Sequence, residues 1–348
     1  MGEGIGTELA FVVGANQSLL IDMTGASVCE LSQMRITSRI NIADIGLLLA
    51  RNASLDSAGE HQFDGLRWEA PAKIANVVSL GSEVNTYTHC SFLNAAPGGQ
   101  NLITSRFNTL QVISPYGASF GGSNLCQQYI NCVWGVYART GREINISIQS
   151  GTGYFQIIGG SMSNKSLDRK NPNAGGLAGI QIGGPDNDYP CEQIIFTYLE
   201  AETHGTKNAI QILGYVRGLR VQNCLFQSCE SAIRITGKLE DSIIEQNSLQ
   251  AGMATYDWRT DPKRALIVVK NASVSTSKFD LRWRRLGVLN EDKSTRDSGN
   301  RPDIALCVSC DKPEDGFYEN EVIVRNKKDI WFSETTNTSN NQIRVLTP

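Results

Sequence analysis

The sequence predicts an all-β chain folded as a right-handed, single-stranded parallel β-helix of about eleven coils, on three observations. A six-residue pattern recurs along the whole chain: a large apolar residue, two variable ones, a small or polar residue, one variable, then another large apolar residue. A short alternating strand ending in glycine precedes several of its copies. The chain also holds 33 glycines and 26 asparagines, residues that tolerate the left-handed backbone of tight turns, and few runs of good helix formers.

The clearest copies are Tyr87-Thr88-His89-Cys90-Ser91-Phe92, Tyr129-Ile130-Asn131-Cys132-Val133-Trp134 and Val221-Gln222-Asn223-Cys224-Leu225-Phe226. Looser ones begin at Leu31, Phe63, Ile157, Ile194, Ile244, Val274, Phe317 and Thr338. The spacing between copies has a nearly constant minimum and a variable excess, as expected if each coil needs a fixed length and insertions bulge outward. Gly179–Gly183, Ala209–Gly214 and Ala232–Gly237 supply the alternating strands, with one face buried. Residues 1–30 read as lead-in strands and 31–348 as one solenoid body.

The first and last apolar residues of each copy are therefore expected in one continuous core. Cys90, Cys132 and Cys224 share a repeat position with Gly160, Thr197, Asn247 and Ser277, which makes them small inward residues at a bend. Nine cysteines, an odd number, argue against a disulfide framework, and Met1–Gly4 opens no secretion signal. Cys307-Val308-Ser309-Cys310 is a lone pair in a chain with three histidines, so no metal and no cofactor is expected. A formal net charge of -3 without a basic stripe speaks against nucleic acid, and no stretch is apolar enough for membrane insertion. The six N-x-[ST] matches, from Asn16 to Asn337, read as chance in so Asn- and Ser-rich a chain.

The coils Ala209-Ile210-Gln211-Ile212 with Val221–Phe226, and the stretch Asn76–Thr86, resemble the pectin-lyase-like β-helix proteins, among them bacteriophage tailspikes and related virion proteins. The likeness spans roughly residues 7 to 345. It implies a homotrimer that recognises host cell-surface polysaccharide, contacts other virion tail proteins and resides in the tail after assembly in the host cytoplasm. The alternative it implies is a polysaccharide depolymerase, a hydrolase or lyase on the same scaffold. The aspartate-rich and Gly-His-Gly elements of polygalacturonases are missing: His204-Gly205 stands alone. No virion-anchor domain is expected in the residues ahead of residue 7, so the chain is expected to be a body fragment or one attached through an adaptor.

Stacking the copies predicts ribbons of outward residues about 4.8 Å apart. The residue after each copy gives Thr37, Glu69, Leu93, Gly135, Ser163, Glu200, Gln227, Gln250 and Asp280, so Glu200 is expected beside Gln227. The following turns add Glu202, His204, Glu230 and the loop Gly252–Pro262, which carries Tyr256, Asp257, Trp258 and Arg259. Carboxylates beside an aromatic face suit sugars, so Glu200, Glu202, Glu230 and Asp257 are the candidate acids. Tyr256, Trp258, Arg259, Gln227 and His204 are the candidate substrate contacts. A plain solvated polar ribbon explains the same residues. A second candidate lies on the opposite turns, at Asp186, Asp188, Arg217 and Glu240, where a salt-bridge ladder is the plainer reading.

Overall fold

A computed structural model describes residues 7–11, 19–38, 43–51, 59–105, 126–138, 143–149, 151–166, 177–183, 189–202, 208–227, 229, 231–250, 265–281, 304–325 and 329–346. Every strand pairing among them is parallel, and no helix occurs among these residues. The chain is a right-handed parallel β-helix with four sheets.

One coil defines them: Cys191–Glu192 lies in sheet 1, Ile195–Thr197 in sheet 2, Glu200–Glu202 in sheet 3 and Asn208–Ile212 in sheet 4. Sheets 2 and 4 have eleven strands each, sheet 3 nine and sheet 1 five. The expected alternating strands occur as Ala178–Ile182, Asn208–Ile212 and Ser231–Ile235 of sheet 4.

The six-residue pattern is the corner between sheets 2 and 3. In Tyr87–Phe92, Tyr87 ends up inside on sheet 2, His89 takes a left-handed conformation (φ 52°), Cys90 turns inward and Phe92 is inside on sheet 3. One left-handed residue per corner bends the chain sharply, which is why these bends draw so heavily on Asn, Gly and Gln. Cys90, Cys132 and Cys224 are buried at this bend, as the repeat position predicts. Burial pushes the thiols of Cys191 and Cys224 up to about 12, so both stay protonated and behave as small apolar groups.

The register departs from expectation at the copies begun at Ile194, Val274, Phe317 and Thr338. The sheet 2 column runs Tyr129, Ile157, Phe196, Val221, Ile244, Phe279, so Phe196 and not Ile194 holds the column position, and Leu199, not Thr197, holds the inward bend. Val274 and Phe317 stack with Leu239 in sheet 1. The cause is that the corner between sheets 1 and 2 uses the same pattern, as in Leu239-Glu240-Asp241-Ser242-Ile243-Ile244, where Asp241 is left-handed (φ 51°). A slip of two residues keeps the large apolar side chains inside, although it turns Thr197 from the expected inward bend to the outer face. Ile194 and Val274 are accordingly still buried in the core, while Leu31, at the N-terminal end, is half-buried.

The inside of the solenoid is packed by like-on-like columns. Phe63, Tyr87 and Tyr129 stack face to face, with ring centroids 4.5 and 4.4 Å apart. At the corner between sheets 3 and 4 a buried asparagine ladder replaces apolar contacts. Asn76 Nδ2 donates to Asn101 Oδ1 (2.7 Å), Asn101 to Asn145 (2.6 Å) and Asn145 to Asn164 (3.0 Å). The ladder stops below Asn76 because Gly46 occupies the next coil: a Cβ there would lie 2.5 Å from the indole of Trp68.

A buried histidine marks the corner between sheets 1 and 2. His61 Nδ1 accepts the Cys29 backbone N–H at 3.3 Å, and burial holds the imidazole pKa below its ordinary value. The folded chain thus binds this proton less tightly than the unfolded one. Its contribution is complete above the unfolded value of about 6.5 and is lost as pH falls below it. The urea midpoint should drop between about pH 7 and 5, and His61→Leu should flatten that drop. An unchanged slope in the variant would remove His61 as its source.

Candidate functional site

Sheet 3 turns alternate residues outward, in two adjacent columns. One carries Ser91, Val133, Ser161, Glu200 and Leu225; the other carries Leu93, Gly135, Ser163, Glu202 and Gln227. The backbone register therefore pairs Gln227 with Glu202, and Glu200 with Leu225. The expected direct pairing of Glu200 with Gln227 is off by two residues, because the copy was started at Ile194. Their side chains meet all the same: Gln227 Nε2 donates to Glu200 Oε1 at 2.6 Å, along the diagonal. Asp280 leaves the ribbon altogether, since it sits in sheet 2 between Glu245 and Ile323.

The Glu200 carboxylate is exposed, and among the described residues no cation lies within ion-pair distance of it. Toward the N-terminal coils the same face mixes Ser91, Gly135, Ser161 and Ser163 with the apolar Leu93 and Val133. At Gly135 a Cβ would come within 3.1 Å of Leu93 Cδ1. Three coils before Ser161, Arg35 Nη2 reaches Glu69 Oε2 at 2.5 Å and Arg67 bonds the other oxygen of Glu69. Partial burial acts to raise the Glu69 pKa, and the two guanidinium bonds outweigh it and hold the carboxyl below its usual range. That end of the strip is internally neutralised, and the Glu200 end is not.

Of the other expected contacts, Glu202 is placed by its strand alone, with no side-chain position described. His204, Glu230, Tyr256, Asp257, Trp258 and Arg259 lie outside the described residues, as do Asp186 and Asp188 of the second candidate.

The rest of the second candidate is the outer face of sheet 1. Glu192, Arg217 and Glu240 follow one another in register on successive coils, and Arg217 pairs with Glu192. Glu240 accepts from Tyr215 Oη (2.6 Å) and from Lys238 Nζ (2.7 Å), while Lys238 also lies 4.3 Å from the Tyr215 ring centroid. Partial burial works to raise the Glu240 pKa, yet these two bonds keep it below the usual carboxylate range. This is a ladder of charges satisfied by one another. Among the described residues no group of His, Cys, Asp and Glu is arranged to hold a metal ion.

Sequence reasoning missed one feature of this region. Tyr198, two residues before Glu200, occupies the left-handed corner position (φ 57°) with its side chain in solvent. Starting that copy at Phe196 would have put a tyrosine where other copies carry Gly, His or Asn.

No protein-family model matches the chain, and no curated protein matches it. Among solved structures it is similar to an endo-xylogalacturonan hydrolase from Aspergillus tubingensis, at 14% identity and a TM-score of 0.37, over 97% of this chain and 93% of that one. It is similar also to a PL6 alginate lyase in complex with a trisaccharide, at 10% identity and a TM-score of 0.33, over 99% and 86% of the two chains. A third is a tailspike protein mutant of E. coli bacteriophage HK620 in complex with a pentasaccharide, at 10% identity and a TM-score of 0.36, over 97% and 72%. At this level of likeness no residue and no substrate carries over from them.

Proposed function

We propose that the chain is a tailspike-like virion protein that recognises a host cell-surface polysaccharide along the outer face of sheet 3. The observation that carries this reading is the exposed Glu200 carboxylate, bonded by the neutral Gln227 amide and free of any cation among the described residues. A carboxylate held this way can still accept sugar hydroxyls, and Ser161 and Ser163 offer donors and acceptors on the adjacent coil, with Ser91 two coils further on. Coil spacing of about 4.8 Å is close to the length of one sugar ring, so an extended glycan would meet equivalent positions coil after coil. The homotrimer and the tail location belong to this reading.

Cleavage is the second reading, favoured by one feature: Glu200 and Glu202 occupy successive outward positions of one strand. Such positions have backbones roughly 6.5–7 Å apart, which lets two Glu side chains reach the carboxyl separation used by inverting glycosidases.

Incubation of the protein with purified capsule and lipopolysaccharide separates the two. A binding protein leaves chain length unchanged, and Gln227→Ala weakens affinity by about 2- to 12-fold, the worth of one hydrogen bond. A depolymerase shortens the glycan, and Glu200→Gln abolishes products while affinity stays within a few-fold. Light scattering checks the trimer. Neither binding nor cleavage on any of these glycans would remove the reading.

A further inference from the structure

We propose a second glycan-contact surface on the outer face of sheet 2, bordered by Tyr154 and Tyr198 and suited to uncharged sugar rings. It rests on the reading of the chain as a glycan-recognising protein but uses a different face. Tyr154 stands at the corner between sheets 1 and 2, and Tyr198 at the corner between sheets 2 and 3 one coil later. They lie roughly 16 Å apart along the strand direction, counting five residues at the rise of a β-strand.

Seventeen described non-glycine residues take the left-handed conformation, and Tyr154 and Tyr198 are the two tyrosines among them. Their φ values are 51° and 57°, and the side chains they carry are 42% and 64% exposed, which leaves an aromatic ring in solvent at either edge of the face. Equivalent corners carry Gly218, Gln193, Asp241 and Val84 between sheets 1 and 2 and Gly159, His89, Asn131, Asn223 and Gln246 between sheets 2 and 3, so the corner itself does not call for an aromatic ring. The ring, and not the backbone conformation, is what distinguishes these two corners.

Between the two rings the face is half polar and half apolar. Gln128 and Gln156 are register partners, and neither side chain has a hydrogen bond among the described residues, nor does Thr197. Ile158 and Ile195 lie beside them. Amides and a hydroxyl suit sugar hydroxyls, whereas isoleucine and tyrosine faces suit the C–H side of a pyranose ring. These central positions carry no charge; Arg220 begins the next coil. That selects neutral sugars over uronates. Tyr198 joins this face to the Glu200–Gln227 pair, so one polysaccharide can cross the corner from sheet 2 to sheet 3.

The test uses the full chain on an array of purified bacterial O-antigens and capsular polysaccharides, scored separately for neutral and acidic polymers. Tyr198→Gly and Tyr154→Gly should each lower binding to neutral polymers by about three- to tenfold, with an unchanged or higher melting temperature because glycine suits the backbone. Tyr198→Phe should bind as the parent does. A lower melting temperature in both glycine variants would make the tyrosines structural and overturn the proposal. Binding that survives both glycine variants but falls in Gln227→Ala overturns it too and leaves the sheet 3 reading standing. A parent silent on every polymer overturns both.

Discussion

Replacing Asn101 by leucine should destabilise the solenoid by about 3–5 kcal/mol, although the side chains are nearly the same size. Asn101 is fully buried at the corner between sheets 3 and 4. It accepts from Asn76 and donates to Asn145 Oδ1 at 2.6 Å and to the Gly135 carbonyl at 2.8 Å. Leucine removes all three bonds and leaves the acceptors on Asn145 and Gly135 dry. Each buried group stranded in this way costs about 1–3 kcal/mol. Asn76 suffers least, because its amide also bonds the Leu93 carbonyl at 3.1 Å. Replacing Asn76, Asn101 and Asn145 together by apolar residues should cost less than the sum of the single changes, since the stranded partners disappear as well. Urea unfolding measures both quantities. A loss below about 1 kcal/mol for Asn101→Leu would mean that water or backbone movement satisfies the ladder from outside.

The ladder also marks the limit of what the sequence discloses. Asn76, Asn101 and Asn145 are separated by 25 and then 44 residues, so no period links them. Their alignment needs the lengths of the intervening loops, which follow no local rule. The corner pattern was legible because its chemistry is local: Tyr87 to Phe92 contains a strand end, a left-handed residue and a strand start. It was ambiguous where two corners share that chemistry, which is how Val274 of sheet 1 was read as belonging with Ile244 of sheet 2. The slip at Ile194 kept the large apolar residues inside and misplaced only Thr197, yet it moved the neighbour of Gln227 from Glu202 to Glu200. A surface site depends on that second, finer register, and core burial does not.

Truncating Phe226 to alanine should cost about 3–5 kcal/mol, and the position's neighbours say why the upper part of that range applies. Phe226 is fully buried in the inner column of sheet 3, with Ala201 as its partner on one side and Leu249 on the other. Ala201 follows Met162 and precedes Phe226 in that column, so it is a small residue between two large ones. Together with Ile233, Ile244 and Leu266, Phe226 already lines a cavity, and shortening its side chain would enlarge it. Alanine stacked on alanine leaves a void that rigid, hydrogen-bonded coils cannot close. The pairing supplies an internal control. Adding volume at the partner, as Ala201→Leu, should damage the parent by overpacking, about 1–3 kcal/mol, yet recover part of the loss when combined with Phe226→Ala. A double-mutant cycle in urea should therefore show a favourable coupling on the order of 1–2 kcal/mol between the two sites. Strict additivity would mean that the two side chains do not share the space the register gives them, and the inner column of sheet 3 would have to be redrawn at these coils.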